Sequence, residues 1–183
     1  MNYMAEHIYK TIFFLDKEFR GFLVDEMHGK LLKWLRILGY YSEDMSILLQ
    51  NRKEFEDKRE LNWFIFDYTQ NHKLILLSSN SSLTEAVSNS FFLDLRDFKE
   101  NLRIIGKFFS LNYDFDLNHS FCPVCGFDLE TILNKEDIKE NIPPFTYKQQ
   151  NEFWRCQNQD CRKIYWKGSH VDDFKTTFDY IVK

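Results

Sequence analysis

With 183 residues, the chain has room for one medium domain and a small appended module, but not for two full domains of ordinary size. Its 44% hydrophobic and 28% charged residues exclude a disordered chain, and no apolar run approaches the length of a membrane span. The net charge of −4 excludes a protein that coats nucleic acid by bulk attraction, so any such role has to rest on a local basic patch.

The apolar stretches nearest the start, Ile12 to Leu15 and Phe22 to Val24, are too short for a signal-peptide core and follow no basic leader. A cytoplasmic location is therefore expected. Gly21 to Asp25 (GFLVD) is a short apolar run ending in an acid, and a strongly periodic stretch follows from His28 to Gly39. Strand, turn, helix is the reading. At about 100° per residue, Leu31, Trp34, Leu35 and Leu38 share one arc of a helical wheel, while Lys30, Lys33 and Arg36 gather on the opposite side. Gly39 is the expected helix stop.

Beyond a charged stretch from Asn51 to Glu60, a second helical pattern runs from about Leu61 to Gln70 and leads into Lys73 to Ser78. The LILL at its centre reads as a strand buried on both faces. Ser82 followed by Glu85 resembles a capping box opening a short helix, which places Ser79 to Ser81, with Asn80 just beyond the strand, in the turn. A third apolar run, Ser90 to Leu95, precedes a helix from about Asp97 to Phe109, with Ile104, Ile105, Phe108 and Phe109 available for its buried face. Strands alternating with helices predict an α/β fold with a mainly parallel sheet and flanking helices. With only 6 Gly and 3 Pro, the turns have to rely on Asn, Asp and Ser.

From Asn118 the pattern changes. All four cysteines lie between 122 and 161, as Cys122 and Cys125 in CPVCG and as Cys156 and Cys161 in CQNQDC. A polar linker with Pro143 and Pro144 separates the two pairs, and an amphipathic stretch from Asp172 to Val182 closes the chain. Two close pairs of thiolates, each delivered by a turn, are the layout of a zinc ribbon. Four thiolates leave no open ligand position, so the Zn²⁺ would be structural. Two disulfides are disfavoured in a cytoplasmic chain, and four unrelated buried thiols are disfavoured by the spacing. The expected organisation is an N-terminal extension over 1–18, an α/β body over 19–117, a zinc ribbon over 118–171 and a C-terminal helix over 172–183.

Taken together, Phe22-Leu-Val-Asp-Glu-Met and Gly29-Lys-Leu-Leu-Lys-Trp-Leu-Arg-Ile-Leu-Gly-Tyr40 resemble the opening signature of the Mut-seven C-terminal ribonuclease family. That family has a PIN-like α/β domain followed by a zinc ribbon. Glu152-Phe-Trp-Arg-Cys and Lys163-Ile-Tyr-Trp-Lys-Gly-Ser-His170 are similar to its second ribbon half, and the Cys122 to Cys125 knuckle to its first. The resemblance covers about Phe19 to Phe174 and leaves the first 18 residues unmatched.

The resemblance implies a ribonuclease that holds one or two Mg²⁺ or Mn²⁺ ions with carboxylates at the C-terminal ends of parallel strands. Asp25 sits at such an end, although Asp is equally suited there to capping a helix. Where the family pattern has Leu-Thr-Arg-Asp, this chain has Leu77-Ser78-Ser79-Asn80, an amide in place of the second acid. An amide oxygen is a weaker ligand for a hard cation and cannot act as a base. The family's acid before the preceding helix falls here near Asn62 or Glu60. Asp67, Asp94 and Asp97 are further acids able to approach the strand ends, with Asp94 the best placed; each is otherwise an ordinary solvated or capping residue. Asp25, Asn80 and Asp94 are therefore the candidate catalytic positions.

Lys30, Lys33 and Arg36 are candidate contacts for RNA phosphates, or simply a solvated helix face. Trp154, Tyr165, Trp166 and His170 either stack on unpaired bases or cover the metal site. Two functions stand beside each other: a metal-dependent ribonuclease acting on RNA phosphodiester bonds, and a degenerate relative that keeps the fold but only binds RNA or a protein; a ribbon-built transcription or assembly factor without nucleic-acid chemistry is disfavoured because it leaves the FLVDEM segment unexplained.

Overall fold

The computed structural model describes residues 20–50, 54–94, 97–113, 115–168 and 171–182. The N-terminal extension and His170 lie outside the described residues. The chain divides into two compact units, one taking the chain up to Leu32 together with Tyr41–Asn101, the other Lys33–Tyr40 together with everything from Leu102 on.

The first unit is built on a four-stranded parallel sheet: β1 (Gly21–Val24), β2 (Ser42–Asp44), β3 (Leu74–Ser78) and β4 (Ser90–Phe92), in the order β2-β1-β3-β4. Phe22 pairs with Ser42 and Ile75, and Leu77 with Phe91, which brings all four C-terminal ends to one edge. The α/β class and the parallel sheet expected from the alternation of elements are what the structure shows. All four residues of β1 and all five of β3 are buried, as strands covered on both faces require.

Alternation along the strands explains how this is done. Leu23, Leu74 and Leu76 point to one face and pack with Met45 of α2 (Met45–Gln50), Ile65 of α3 (Lys58–His72) and Leu83 of α4 (Ser81–Ala86). Phe22, Val24, Ile75 and Leu77 point the other way and are also buried. Gly21 begins β1 because nothing larger fits: a Cβ there would stand 2.1 Å from the Tyr41 carbonyl oxygen, on the chain entering β2.

A 3-10 turn (Glu26–His28) leads from β1 into α1 (Gly29–Ile37), which runs from the first unit into the second. It ends as expected. Gly39 has φ +83°, its N–H donates to the Arg36 carbonyl and the Tyr40 N–H reaches back to the Leu35 carbonyl. These are the two bonds of a Schellman stop.

The capping box expected at Ser82 is not the one used. Asn80 caps α4 instead, its Oδ1 accepting from the Leu83 N–H at 3.2 Å, and the helix begins at Ser81. Asn in extended backbone directly before the helix is as strong a cap as Ser, and it starts the first turn two residues earlier.

The second unit carries most of α5 (Phe98–Phe108) and an antiparallel sheet in the order β5 (Leu129–Thr131), β6 (Trp154–Cys156), β7 (Ile164–Tyr165). The segment read from sequence as a polar linker is folded. A 3-10 turn (Lys135–Ile138) and α6 (Pro144–Gln149) flank a small core of Ile138, Ile142 and Phe153. Pro144 opens the helix where its missing N–H costs nothing. The chain ends in α7 (Val171–Ile181). No helix among the described residues is long and apolar enough to cross a membrane.

Candidate active site and metal centre

Asp25 follows β1 directly and is 7% exposed. Its backbone N–H continues the sheet by donating to the Leu77 carbonyl at 3.0 Å. Its carboxylate Oδ2 accepts the Ser78 hydroxyl at 2.5 Å, and Ser78 Oγ in turn accepts the Asn80 N–H at 3.0 Å. The backbone φ, ψ of Asp25 suits an N-cap, yet its side chain makes no capping bond. The carboxylate is directed to the neighbouring strand end instead.

One turn on, His28 is buried, with Nε2 2.8 Å from the Ser79 hydroxyl, and that hydroxyl donates to the Leu93 carbonyl. Burial lowers the His28 pKa below 6.5, and the nearby Asp25 charge offsets this only in part. Ser78, Ser79 and His28 were not singled out from sequence. Ser78 and Ser79 were visible there only as a departure from a family motif, yet they are the groups that hold Asp25 and His28.

The other candidates have different neighbours. Asn80 Oδ1 accepts from the Leu83 N–H and the Ser82 hydroxyl, so its carbonyl serves the first turn of α4. Asp94 is exposed, two residues beyond β4. Asp67 accepts from the Asn71 amide, Asp97 from the Lys99 N–H at the start of α5, and Glu60 from the Glu56 N–H. Asp44, at the end of β2 opposite Val24, takes the Ser46 N–H and hydroxyl. Among the described residues, the one group of three or more His, Cys, Asp or Glu side chains placed to share a metal ion is the four cysteines. Among the described strand ends, the buried carboxylate is that of Asp25, with the half-buried Asp44 at the end of β2. Of the three candidate positions, Asp25 turns its carboxylate to Ser78, the Asn80 side-chain carbonyl caps α4, and Asp94 is exposed beyond β4.

The cysteines do converge. The sulfurs of Cys122, Cys125, Cys156 and Cys161 all lie within 4.8 Å of one another, with Cys122 to Cys161 at 3.8 Å and Cys125 to Cys156 at 3.3 Å. The first knuckle turns through Gly126 (φ +79°), whose N–H donates to the Cys122 carbonyl, and the second through Asn158, whose carbonyl takes the N–H groups of Cys161 and Arg162. Such a cluster of thiols can hold a metal ion.

Tyr165 stands beside it, with its hydroxyl 3.1 Å from Cys122 Sγ. Burial pushes the Cys122 thiol up, but the Tyr165 hydroxyl and the N–H groups of Cys125 and Val124 outweigh it and bring the pKa down to about 7. Cys156 and Cys161 are raised, chiefly by burial. Trp154 is 2% exposed, packs in the same apolar cluster and donates from Nε1 to Asn118 Oδ1 at 2.9 Å. Trp166 is half-buried and packs against the cluster around Phe153.

The basic face of α1 divides. Lys30 and Lys33 are exposed, and the Lys30 ammonium lies 4.0 Å from the centre of the Phe98 ring. Arg36 is 3% exposed, and its Nη1 donates to the carbonyls of Pro123 and Val124, each at 3.2 Å. Its guanidinium also lies against Gly126, where a Cβ would come within 3.0 Å of it. The wheel placed Arg36 with the lysines, but its longer, planar head folds onto the knuckle and is turned away from solvent.

The match that decides the family spans both units. The model of the Mut7-C RNAse domain matches residues 20–178. The chain belongs to the Mut7-C RNAse domain family. No curated protein and no solved structure is similar enough to the chain to match it. Within the Mut7-C RNAse domain match lie Asp25, the LSSN turn, Arg36 and all four cysteines.

Proposed function

We propose that the chain is a ribonuclease that cleaves RNA phosphodiester bonds at the C-terminal edge of its parallel sheet, with activity depending on Asp25. Family membership over residues 20–178 supports the reaction class, and the buried Asp25 carboxylate at a strand end supports the place. Ligands of α/β sheets bind in the crevice at that edge. The divalent cation of this reading is Mg²⁺ or Mn²⁺. Asp25 is the residue that would hold it at the strand end, and the ion would supply an activated water and a charge facing the phosphate. Lys30 and Lys33 are the phosphate contacts of this reading, with Arg36 positioning the knuckle.

In the same reading the thiol cluster, in a ribbon over 118–171 between the body (19–117) and the closing helix (172–183), holds Zn²⁺. Zn–S bonds of about 2.3 Å in a tetrahedron put sulfurs about 3.8 Å apart, which the Cys122 to Cys161 distance matches. Trp154 and the Tyr165 hydroxyl support a covering role for the ribbon aromatics. The test is cleavage of single-stranded and structured RNA by wild type and Asp25→Asn, with Mn²⁺, with Mg²⁺ and with EDTA. Loss of activity in Asp25→Asn is expected, and equal activity in the two proteins would remove the assignment.

One observation favours a second reading, binding of RNA without cleavage: Asn80 stands where the family motif has an acid, and its carbonyl caps α4. In that case Asn80→Asp gains Mn²⁺ binding by calorimetry while the wild type shows none.

A further inference from the structure

Of the four tryptophans, Trp63 alone is exposed, at 66%. It is not a stray core residue. Trp63 and Phe66, three residues apart on α3, lie nearly parallel, with centroids 5.2 Å apart and planes 21° from each other. Beside them opens a cleft of about 330 Å³ lined by Arg59, Asn62, Trp63, Phe66 and Ala86. The lining holds two flat π surfaces, a carboxamide with a donor and an acceptor, and a guanidinium. A nucleobase uses the same set: a face to stack on, an edge to hydrogen-bond and a cation for the adjoining phosphate.

The guanidinium is available for that task. Arg59 pairs with Asp57 at 3.2 Å, but both side chains are open to water, where such a pair is weak. A second cation, Lys58, stands one residue before it and bonds the Ser82 hydroxyl of α4 at 2.8 Å. Helix α4 also connects the cleft with the strand-end site. It starts after Asn80, beside Ser78 and Asp25, and ends at Ala86 in the cleft wall, about 9 Å further along its axis. A single strand of RNA laid along α4 would span both places.

We propose that Trp63, stacked on Phe66 and flanked by Asn62 and Arg59, is the docking site for an unpaired base of single-stranded RNA, a few nucleotides from Asp25. This rests on the reading that RNA is the substrate and narrows it to the single-stranded class, because bases inside a duplex present no open face for an indole.

The test is the affinity of a fluorescein-labelled ten-residue oligouridylate, by anisotropy in EDTA, for full-length Asp25→Asn protein, which spares the RNA during measurement. Trp63→Ala is expected to weaken binding about tenfold, and Trp63→Phe to keep it within about threefold. An RNA duplex of the same length should bind both proteins alike. Trp63 is a surface residue of a helix, so the circular dichroism of the variant should match its parent. Equal affinity of Trp63→Ala and its parent for the oligonucleotide overturns the proposal. So does conversion of a dimer to a monomer in the ultracentrifuge with RNA affinity unchanged, which would make the indole a contact between copies. Cleavage that survives Asp25→Asn removes the assignment of the reaction to Asp25 alone, whereas a wild type that binds neither RNA overturns both readings.

Discussion

The Ser78 hydroxyl donates a hydrogen bond to Asp25 Oδ2 across 2.5 Å, and both side chains are buried between neighbouring strand ends. A carboxylate so placed depends on its donor, since a buried polar atom left without one costs about 1–3 kcal/mol. Ser78→Ala is expected to lower stability by about that amount in urea unfolding. The same change made in Asp25→Ala should cost markedly less, because the group needing the bond is gone. Additive losses in the two backgrounds would mean that the hydroxyl does not serve Asp25.

Arg36 ties a helix end to the first cysteine knuckle through two carbonyls. Arg36→Met removes bonds from a charged donor, each worth about 1.5–3 kcal/mol, and leaves the knuckle carbonyls without it. Faster loss of bound Zn²⁺ to a chromogenic chelator is the expected result. Lys33→Met on the exposed side of the same helix should leave that rate unchanged and shift stability by no more than about 0.5 kcal/mol.

Loading of the thiol cluster should release protons. Metal ligands must be thiolates, and while Cys122 is brought down to about 7, Cys156 and Cys161 are raised and enter neutral solution protonated. Zinc affinity is therefore expected to fall as the pH is lowered from 8 to 6, and the heat of binding at pH 7 should vary with the ionisation enthalpy of the buffer. Chelation at neutral pH should expose the Trp154 cluster, read as a red shift in tryptophan emission.

The strand-end histidine gives a separate pH dependence. Burial holds His28 below its ordinary pKa of 6.5, so the unfolded chain takes up a proton at a higher pH than the folded one. Above the unfolded value the group has no effect on stability. As the pH falls below about 6.5, stability is lost until the folded value is passed. His28→Asn should flatten this part of the stability profile, measured as the urea midpoint between pH 7.5 and 5.

What was legible in the sequence followed the burial of its side chains. GFLV and LILL announce strands because both faces of β1 and β3 are covered, leaving no polar alternation to blur them. The wheel of α1 and its Gly39 stop were equally plain. β2 was missed because Ser42, Glu43 and Asp44 form an edge strand through backbone pairing with Phe22, Leu23 and Val24, a bond that leaves no trace in side-chain pattern. Helix α2 was lost with it. At the candidate site, Asp25 could be read from its place after an apolar strand. The roles of Ser78 and His28 could not, since their partners lie 53 and 51 residues away in sequence. The thiols were readable from spacing alone, but the Tyr165 hydroxyl beside them was not.

The second unit is not one continuous stretch of chain: Lys33–Tyr40 belongs to it as well as everything from Leu102 on. Arg36, which steadies the knuckle, is therefore encoded some 90 residues before the cysteines it serves, with most of the parallel sheet between. A gene fragment beginning at the first cysteine pair carries the ligands but leaves out their brace. Grafted behind another protein, such a fragment would have to find a substitute for Arg36, which makes this ribbon poor material for recombination by simple end-to-end fusion.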